Sequence, residues 1–135
     1  MFAQRVEMVR RDGIESQVQM TLERWLSAPF RARDPETTKW VADMIRGTSV
    51  PGMIHCLEAI VKLDYTDQLD RIETPTLLIA GEKDPGAPVA AMEIMRERIK
   101  GARLEVMADC LHQTPIEAPD TFNRIVDRFL EKLGS

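Results

Sequence analysis

Two side chains of complementary acid–base chemistry, Asp84 and His112, each follow an apolar stretch that is typical of a β-strand. Asp84 comes shortly after "TLLIAG", and His112 comes shortly after "RLEVMA". Because the carboxyl ends of neighbouring parallel strands meet at one edge of a sheet, we expect the two loops to lie side by side. A carboxylate beside an imidazole fixes the ring's tautomer and stabilises its charged form, as a general base requires. The pattern predicts an acid–base pair.

Spacing alone leaves simpler roles open for both residues. Asp84 could cap the turn before Pro85, and His112 could be an ordinary loop histidine. Glu82 and Asp109 are competing acids, but Glu82 lies closer to the first strand, and Asp109 is expected at the end of the second. Asp84 is therefore the preferred acid.

The elements that must position this pair form an α/β arrangement late in the chain. "TLLIA" is an apolar run between Pro75 and Gly81, typical of a strand covered on both faces. Pro88 opens a helix that closes at Gly101, and residues 119–133 keep helical spacing after the second strand. This order predicts two parallel strands with a right-handed crossover. Since two strands leave both sheet edges open, we expect pairing with another chain or membership of a larger protein.

The earlier part of the chain is expected to be helical, because apolar residues recur three or four apart and the breaks fall at glycine and proline. Asp34 can cap a helix that begins at Pro35 and ends at Gly47. The chain therefore divides into a helical segment, residues 1–70, and an α/β part, residues 71–135.

Composition narrows the classes of function. The 135 residues are 44% hydrophobic and 30% charged, as in one soluble globular domain. A net charge of -4 without a basic run argues against nucleic acid or an anionic membrane as a partner. No apolar run approaches the ~20 residues of a bilayer span, and the amino terminus is not signal-like. We expect a cytoplasmic protein whose partners are small molecules or protein.

The two cysteines, Cys56 and Cys110, are too few for a disulfide framework, and no Cys-x-x-Cys or His-x-x-x-His spacing offers a metal site. We expect no cofactor. Cys56 lies in a helix beside His55, where neighbouring side chains point in different directions. Cys110 could reach His112 only through a tight turn. Reduced structural thiols are the preferred interpretation of both cysteines.

Two longer runs carry a resemblance to a known family. The segments "PTLLIAGEKDPGAP" and "GARLEVMADCLHQTPIEAPDTFNRIVDRFL" resemble the last two strand–helix units of the α/β-hydrolases. In that family a glycine-acid-x-Asp turn supplies the triad acid, and a histidine followed by Glu-x-Pro and a Phe-containing helix supplies the base. Asp84 and His112 match those positions, and Glu117, Pro119 and Phe122 match the trailing pattern.

The resemblance extends to the preceding helices. "LERWLSAPFRARDPE" and "GMIHCLEAIVKLDYTDQLDRIETPTLLIAGEKDP" are similar to the cap and the cap-to-core return of 3-oxoadipate enol-lactonases. It implies a partial α/β-hydrolase fold, with a cap-like segment in 1–70 and the carboxyl-terminal part of the core in 71–135. It also implies hydrolysis of a small carboxylic ester or enol-lactone. Trp25 and Trp40 could wall a substrate pocket, although helix packing is the simpler role for each.

A hydrolase of this kind also needs a nucleophilic serine, typically in Gly-x-Ser-x-Gly. Of the four serines, only Ser49 has a glycine two residues before it, and Pro51 replaces the second glycine. No apolar strand precedes Ser49, so a helix cap explains it better. The resemblance thus implies a nucleophile outside this chain. The alternative is a non-catalytic truncated or split module that self-associates or complements a separate front-half chain.

Overall fold

Along residues 2–134, which the computed structural model describes, eight α-helices, one 3₁₀ helix and two strands follow one another. The elements are α1 Phe2–Asp12, α2 Glu15–Trp25, α3 Ala28–Arg33, α4 Pro35–Arg46, α5 Val50–Lys62, the 3₁₀ helix Thr66–Arg71, β1 Leu77–Gly81, α6 Val89–Arg98, β2 Arg103–Met107, α7 Thr114–Glu117 and α8 Pro119–Glu131. None of these helices is both long and apolar enough to cross a membrane.

The described residues form two units. The first unit comprises residues 2–23 and 28–64, and the second comprises residues 24–27 and 65–134. Arg24 and Trp25, the last two residues of α2, therefore belong to the second unit, with the strands. The cap and core boundary expected after residue 70 stays a prediction.

The first unit is helical, as expected from its apolar spacing. One hydrophobic cluster joins α1 to α5 through Val6, Val9 and Leu57, with partly buried Phe2, Val50, Met53 and Ile54 packed against them. Helix α4 begins as the sequence predicts. Asp34 Oδ1 accepts a hydrogen bond from the Thr37 N–H at 2.9 Å. Pro35 occupies the first helical turn, where a backbone N–H would have no partner within the helix, so its missing N–H breaks no helical bond.

The second unit carries a parallel sheet of β1 and β2. Its register runs from Leu77 opposite Arg103 to Gly81 opposite Met107. The parallel order of these strands confirms the predicted α/β class. Helix α8 covers one face of the sheet through a cluster of Met107, Cys110 and Ile125, with Leu77, Ile79, Ala118 and Phe122 packed against it.

Apolar spacing predicted helix faces better than it predicted burial. On α4, Val41 and Ile45 are buried, but Trp40 is 55% exposed and Met44 is exposed too. The reason is that helical periodicity identifies an apolar side without specifying which element covers it. Trp40 therefore does not serve as a buried packing anchor within the described residues.

Candidate active site

Asp84 is held by the loop that follows β1. Its N–H donates to the Gly81 carbonyl at 3.2 Å, which closes a tight turn directly after the strand. The carboxylate then accepts the Gly86 N–H on Oδ1 at 2.7 Å and a second backbone N–H, that of Ala87. Only 5% of the side chain is exposed. The backbone of its own loop thus holds the carboxylate in place independently of other side chains.

His112 lies in the loop after β2, beside this carboxylate. Its Nδ1 is 2.7 Å from Asp84 Oδ2, although the two residues are 28 positions apart. The imidazole is 42% exposed, far more than the acid. The expected meeting of the two strand-end loops is therefore what the structure shows. The buried acid holds one nitrogen of a ring that stays accessible.

Opposing influences act on the pKa of Asp84. Burial is the largest and raises the pKa, but the hydrogen bonds from His112, Gly86 and Ala87 together outweigh it, so the pKa lies below its ordinary value. An ionised carboxylate only accepts hydrogen bonds, so Nδ1 of His112 must carry the hydrogen. In the neutral ring, Nε2 is then left with its lone pair free to accept a proton. This is the tautomer that a general base requires.

The two loops meet because glycine stands at the end of β1. A Cβ on Gly81 would lie 2.0 Å from the Leu111 carbonyl oxygen and 2.6 Å from that of Cys110. The Lys83 N–H also donates to the Cys110 carbonyl at 3.0 Å. The loop that carries His112 therefore passes directly over Gly81, where any side chain would push it away.

Trp25 is the predicted aromatic that the structure brings to the acid–base pair. Its ring stacks on the His112 imidazole, with centroids 6.2 Å apart and planes inclined by 25°. The Gln113 N–H donates to the Trp25 carbonyl at 3.0 Å, which ties the two backbones together. Trp40, the other predicted aromatic, lies on α4 in the first unit.

A second buried carboxylate, Glu117, supports the same loop. Its Oε1 accepts the Ser27 N–H at 2.7 Å, and its Oε2 accepts the Leu111 N–H at 2.5 Å. The sequence marks Glu117 only as part of the family pattern, because helical spacing does not predict that an acid is buried. The useful signal was its position between His112 and Pro119.

The competing acids are engaged elsewhere. Glu82 Oε2 accepts the Asp109 N–H at 3.1 Å, and the Asp109 carboxylate forms an ion pair with Lys83. The hydrogen bond between the Lys83 and Asp109 side chains raises the pKa of Lys83 and lowers that of Asp109. Neither Glu82 nor Asp109 is the acid hydrogen-bonded to His112.

The candidate nucleophiles of the chain are Ser49, Cys110 and Cys56. Ser49 is the N-cap of α5 and accepts the Gly52 N–H at 3.2 Å. Cys110 is buried in the α8 cluster, and burial raises the pKa of its thiol, which disfavours the reactive thiolate. Cys56 and His55 are exposed on α5, in the first unit. In residues 2–134, no group of three histidine, cysteine or acidic side chains could hold a metal ion.

The chain is similar to proteins of a known family. A family model described as the alpha/beta hydrolase fold matches residues 10–119, which is most of the chain. The chain belongs to the α/β-hydrolase family. The two parallel strands are thus part of an α/β-hydrolase fold.

The relatives of this α/β-hydrolase chain include enol-lactonases and an esterase. It is 31% identical to 3-oxoadipate enol-lactonase 2 of Acinetobacter baylyi over 130 residues, 96% of this chain and 48% of that protein. It is 31% identical over 99 residues to a pimeloyl-[acyl-carrier protein] methyl ester esterase of Neisseria meningitidis, 67% of this chain and 38% of the esterase. The enol-lactonase structure from Burkholderia xenovorans LB400 superposes with a TM-score of 0.93 at 28% identity, over 97% of this chain and 50% of that one. The chain spans about half the length of the enol-lactonases it matches.

Proposed function

We propose that this chain supplies the acid and the base of a serine hydrolase that acts on a small carboxylic ester or enol-lactone. The observation that carries the proposal is the 2.7 Å contact between Asp84 Oδ2 and His112 Nδ1, formed where the loops after β1 and β2 meet. A buried acid, an accessible imidazole and the Nδ1–H tautomer together suit general-base catalysis.

The proposed reaction proceeds in two steps. A serine contributed by residues beyond these 135 attacks the substrate carbonyl while His112 Nε2 takes the hydroxyl proton. The ring returns that proton to the leaving alkoxide or enolate oxygen as the acyl bond breaks. In the second step His112 deprotonates a water molecule that attacks the acyl group, and the ring then returns the proton to the serine oxygen as the acyl–serine bond breaks. Asp84 keeps the ring oriented and stabilises its charged form throughout.

The substrate class rests on the relatives. Proteins named 3-oxoadipate enol-lactonase and methyl ester esterase both match this chain. Trp25, stacked on the base, is the proposed apolar contact for the substrate, and Trp40, exposed on α4, is the weaker one. We expect no cofactor, because proton transfer and acyl transfer need only these side chains and a serine.

The proposal predicts that the chain alone does not hydrolyse esters, because none of its serines stands in a Gly-x-Ser-x-Gly turn. The test is to measure p-nitrophenyl acetate hydrolysis by the chain alone, and again after co-expression with a front-half polypeptide that carries Gly-x-Ser-x-Gly. Turnover is expected only in the second case. Turnover by the chain alone that disappears in His112→Ala would contradict the proposal.

A non-catalytic role is the second candidate, favoured by the open sheet. Among the described residues, β1 pairs only with β2, so each strand has one edge without a strand partner. Val106 on β2 is 44% exposed. Such edges and apolar side chains favour association with a second copy or with a separately encoded front half. Light scattering and co-purification with such a chain distinguish these outcomes.

A further inference from the structure

A buried carboxylate outside the acid–base pair links the two chain segments that carry the stacked rings of Trp25 and His112. Glu117, the last residue of α7, is 7% exposed. One of its oxygens accepts the N–H of Leu111, the residue directly before His112. The other accepts the N–H of Ser27, two residues beyond Trp25 and 90 positions away in the sequence.

Two further hydrogen bonds join these contacts in holding the stacked rings of His112 and Trp25. The Gln113 N–H, directly after His112, donates to the Trp25 carbonyl. The segment of His112 is therefore held on both sides, by Glu117 before the ring and by Trp25 after it. On its own side chain, His112 is held by Asp84 at Nδ1.

The energetics of such a carboxylate favour a rigid arrangement. Hydrogen bonds to a charged acceptor are shorter and stronger than neutral ones, and the two here measure 2.5 Å and 2.7 Å. If the acceptor is lost, two backbone donors lose their partner in a partly buried place. The loop would then move to satisfy them, and the imidazole would move with it. Displacements of about 1 Å at a catalytic group can cost on the order of 100-fold in rate.

We propose that Glu117 is a positioning residue that sets the place of His112 between Asp84 and Trp25. In this role it acts through the loop backbone, by its bonds to the Ser27 and Leu111 N–H groups. Its two backbone contacts hold the loop at the distance at which the Nδ1–H of His112 reaches Asp84 and its ring stacks on Trp25. The inference rests on the proposed function for its catalytic consequence, but the geometry that it assigns is measurable in the chain alone.

The variant that tests this role is Glu117→Gln, and Glu82→Gln is its matched control. A glutamine accepts on one side only, so one of the two backbone N–H groups would face an amide NH₂. Glu82 also accepts a backbone N–H from the loop after β2, that of Asp109, but it is exposed and does not bind the Leu111 N–H. Glu117→Asp keeps the charge, yet is one methylene shorter and cannot bridge both segments.

The readouts are two NMR signatures of the folded chain. In histidine-labelled protein, the Nδ1–H of His112 should give a downfield proton signal protected from water by Asp84. Through-space contacts should join the His112 and Trp25 ring protons. Glu117→Gln and Glu117→Asp should broaden or abolish both signatures, whereas Glu82→Gln should keep both. Amide exchange of β1 and β2 should stay protected in all three variants.

Retention of both signatures in a folded Glu117→Gln or Glu117→Asp protein would overturn the proposal. Equal loss in Glu82→Gln would overturn it too, because any disturbance of the loop would then suffice. If Glu117→Gln fails to fold, the Glu117→Asp variant decides the matter. In the complemented enzyme, Glu117→Gln should lower kcat on the order of 10-fold or more with little change in KM. If wild-type complementation gives no activity, the proposed function fails while the NMR result still judges the role of Glu117.

Discussion

Gly81 and Leu111 are in backbone contact where the two active-site loops meet, so close that a Cβ on Gly81 would fall 2.0 Å from the Leu111 carbonyl oxygen. This contact brings the His112 loop onto the end of β1. It explains why the strand ends on a glycine just before the acid. The geometry of the acid–base pair therefore depends on a residue with no side chain.

Gly81→Ala should displace the loop and destabilise the second unit. The new methyl group would overlap backbone atoms that cannot rotate away, and we expect a loss of about 2–4 kcal/mol in the free energy of unfolding. Urea unfolding measures this loss. Gly134→Ala is the control, because its added Cβ would meet nothing closer than 4.0 Å. Equal stability of the two variants would show that the close approach is absent in solution.

Asp84→Asn should destabilise the chain in a pH-dependent way. An amide cannot accept hydrogen bonds on both sides, so we expect a loss of about 1–3 kcal/mol at neutral pH. The pKa of Asp84 is lowered in the folded state, so its ionisation stabilises the fold above the unfolded value of about 3.9. That contribution disappears as the pH falls through the lower folded pKa.

The measurement is the difference in unfolding free energy between wild type and Asp84→Asn from neutral pH to about pH 3. The difference should be constant near neutrality and should shrink below about pH 4. Asp127→Asn, an exposed position on α8, should show no such loss at neutral pH. A difference that grows as the pH falls would contradict the assigned direction of the pKa shift.

Trp25 should report its stack on His112 through its fluorescence. The two ring centroids lie 6.2 Å apart, so replacing the imidazole changes the surroundings of the indole. In a Trp40→Phe background at a fixed neutral pH, His112→Gln should change the emission of Trp25, whereas His55→Gln should leave it unchanged. Unchanged emission in His112→Gln would show that the stack does not form.

The exposed β2 surface should promote association at high concentration. Val106 is 44% exposed beside an open strand edge, and a lysine there would oppose pairing with another chain. Light scattering should show a dimer or larger species for the wild type and a shift toward monomer for Val106→Lys. Leu130→Lys, at an exposed position on α8, should leave the association unchanged. A monomeric wild type at high concentration would count against the self-association alternative.

The pairing of Asp84 with His112 was predictable from the sequence because parallel strands bring their carboxyl ends to one edge. Each residue follows its own apolar run, which places both at that edge, and the resemblance to α/β-hydrolases favours the acid–base role over the simpler ones. The helix beginning at Asp34 and Pro35 was predictable for a similar reason, since capping is a contact between near neighbours. Local signals therefore located both strands and the helix that Asp34 caps.

Contacts between distant segments were not predictable in this way. The stack of Trp25 on His112 and the bond from Ser27 to Glu117 join parts of the chain that no local period connects. The short helix α3 was not predicted as a separate element, and Pro29 lies in its first turn, where proline is tolerated. The exposure of Trp40 shows the same limit, since periodicity does not specify the covering partner.

The most direct test of the central claim is the turnover number of the complemented hydrolase with each member of the acid–base pair replaced. Chain variants would be co-expressed with the front-half polypeptide and assayed for p-nitrophenyl acetate hydrolysis. We predict that His112→Ala lowers kcat by at least about 10³-fold and Asp84→Asn by about 10²- to 10⁴-fold, while His55→Ala retains wild-type turnover. Wild-type turnover in the His112→Ala enzyme would contradict the assignment of His112 as the base and of Asp84 as its orienting acid.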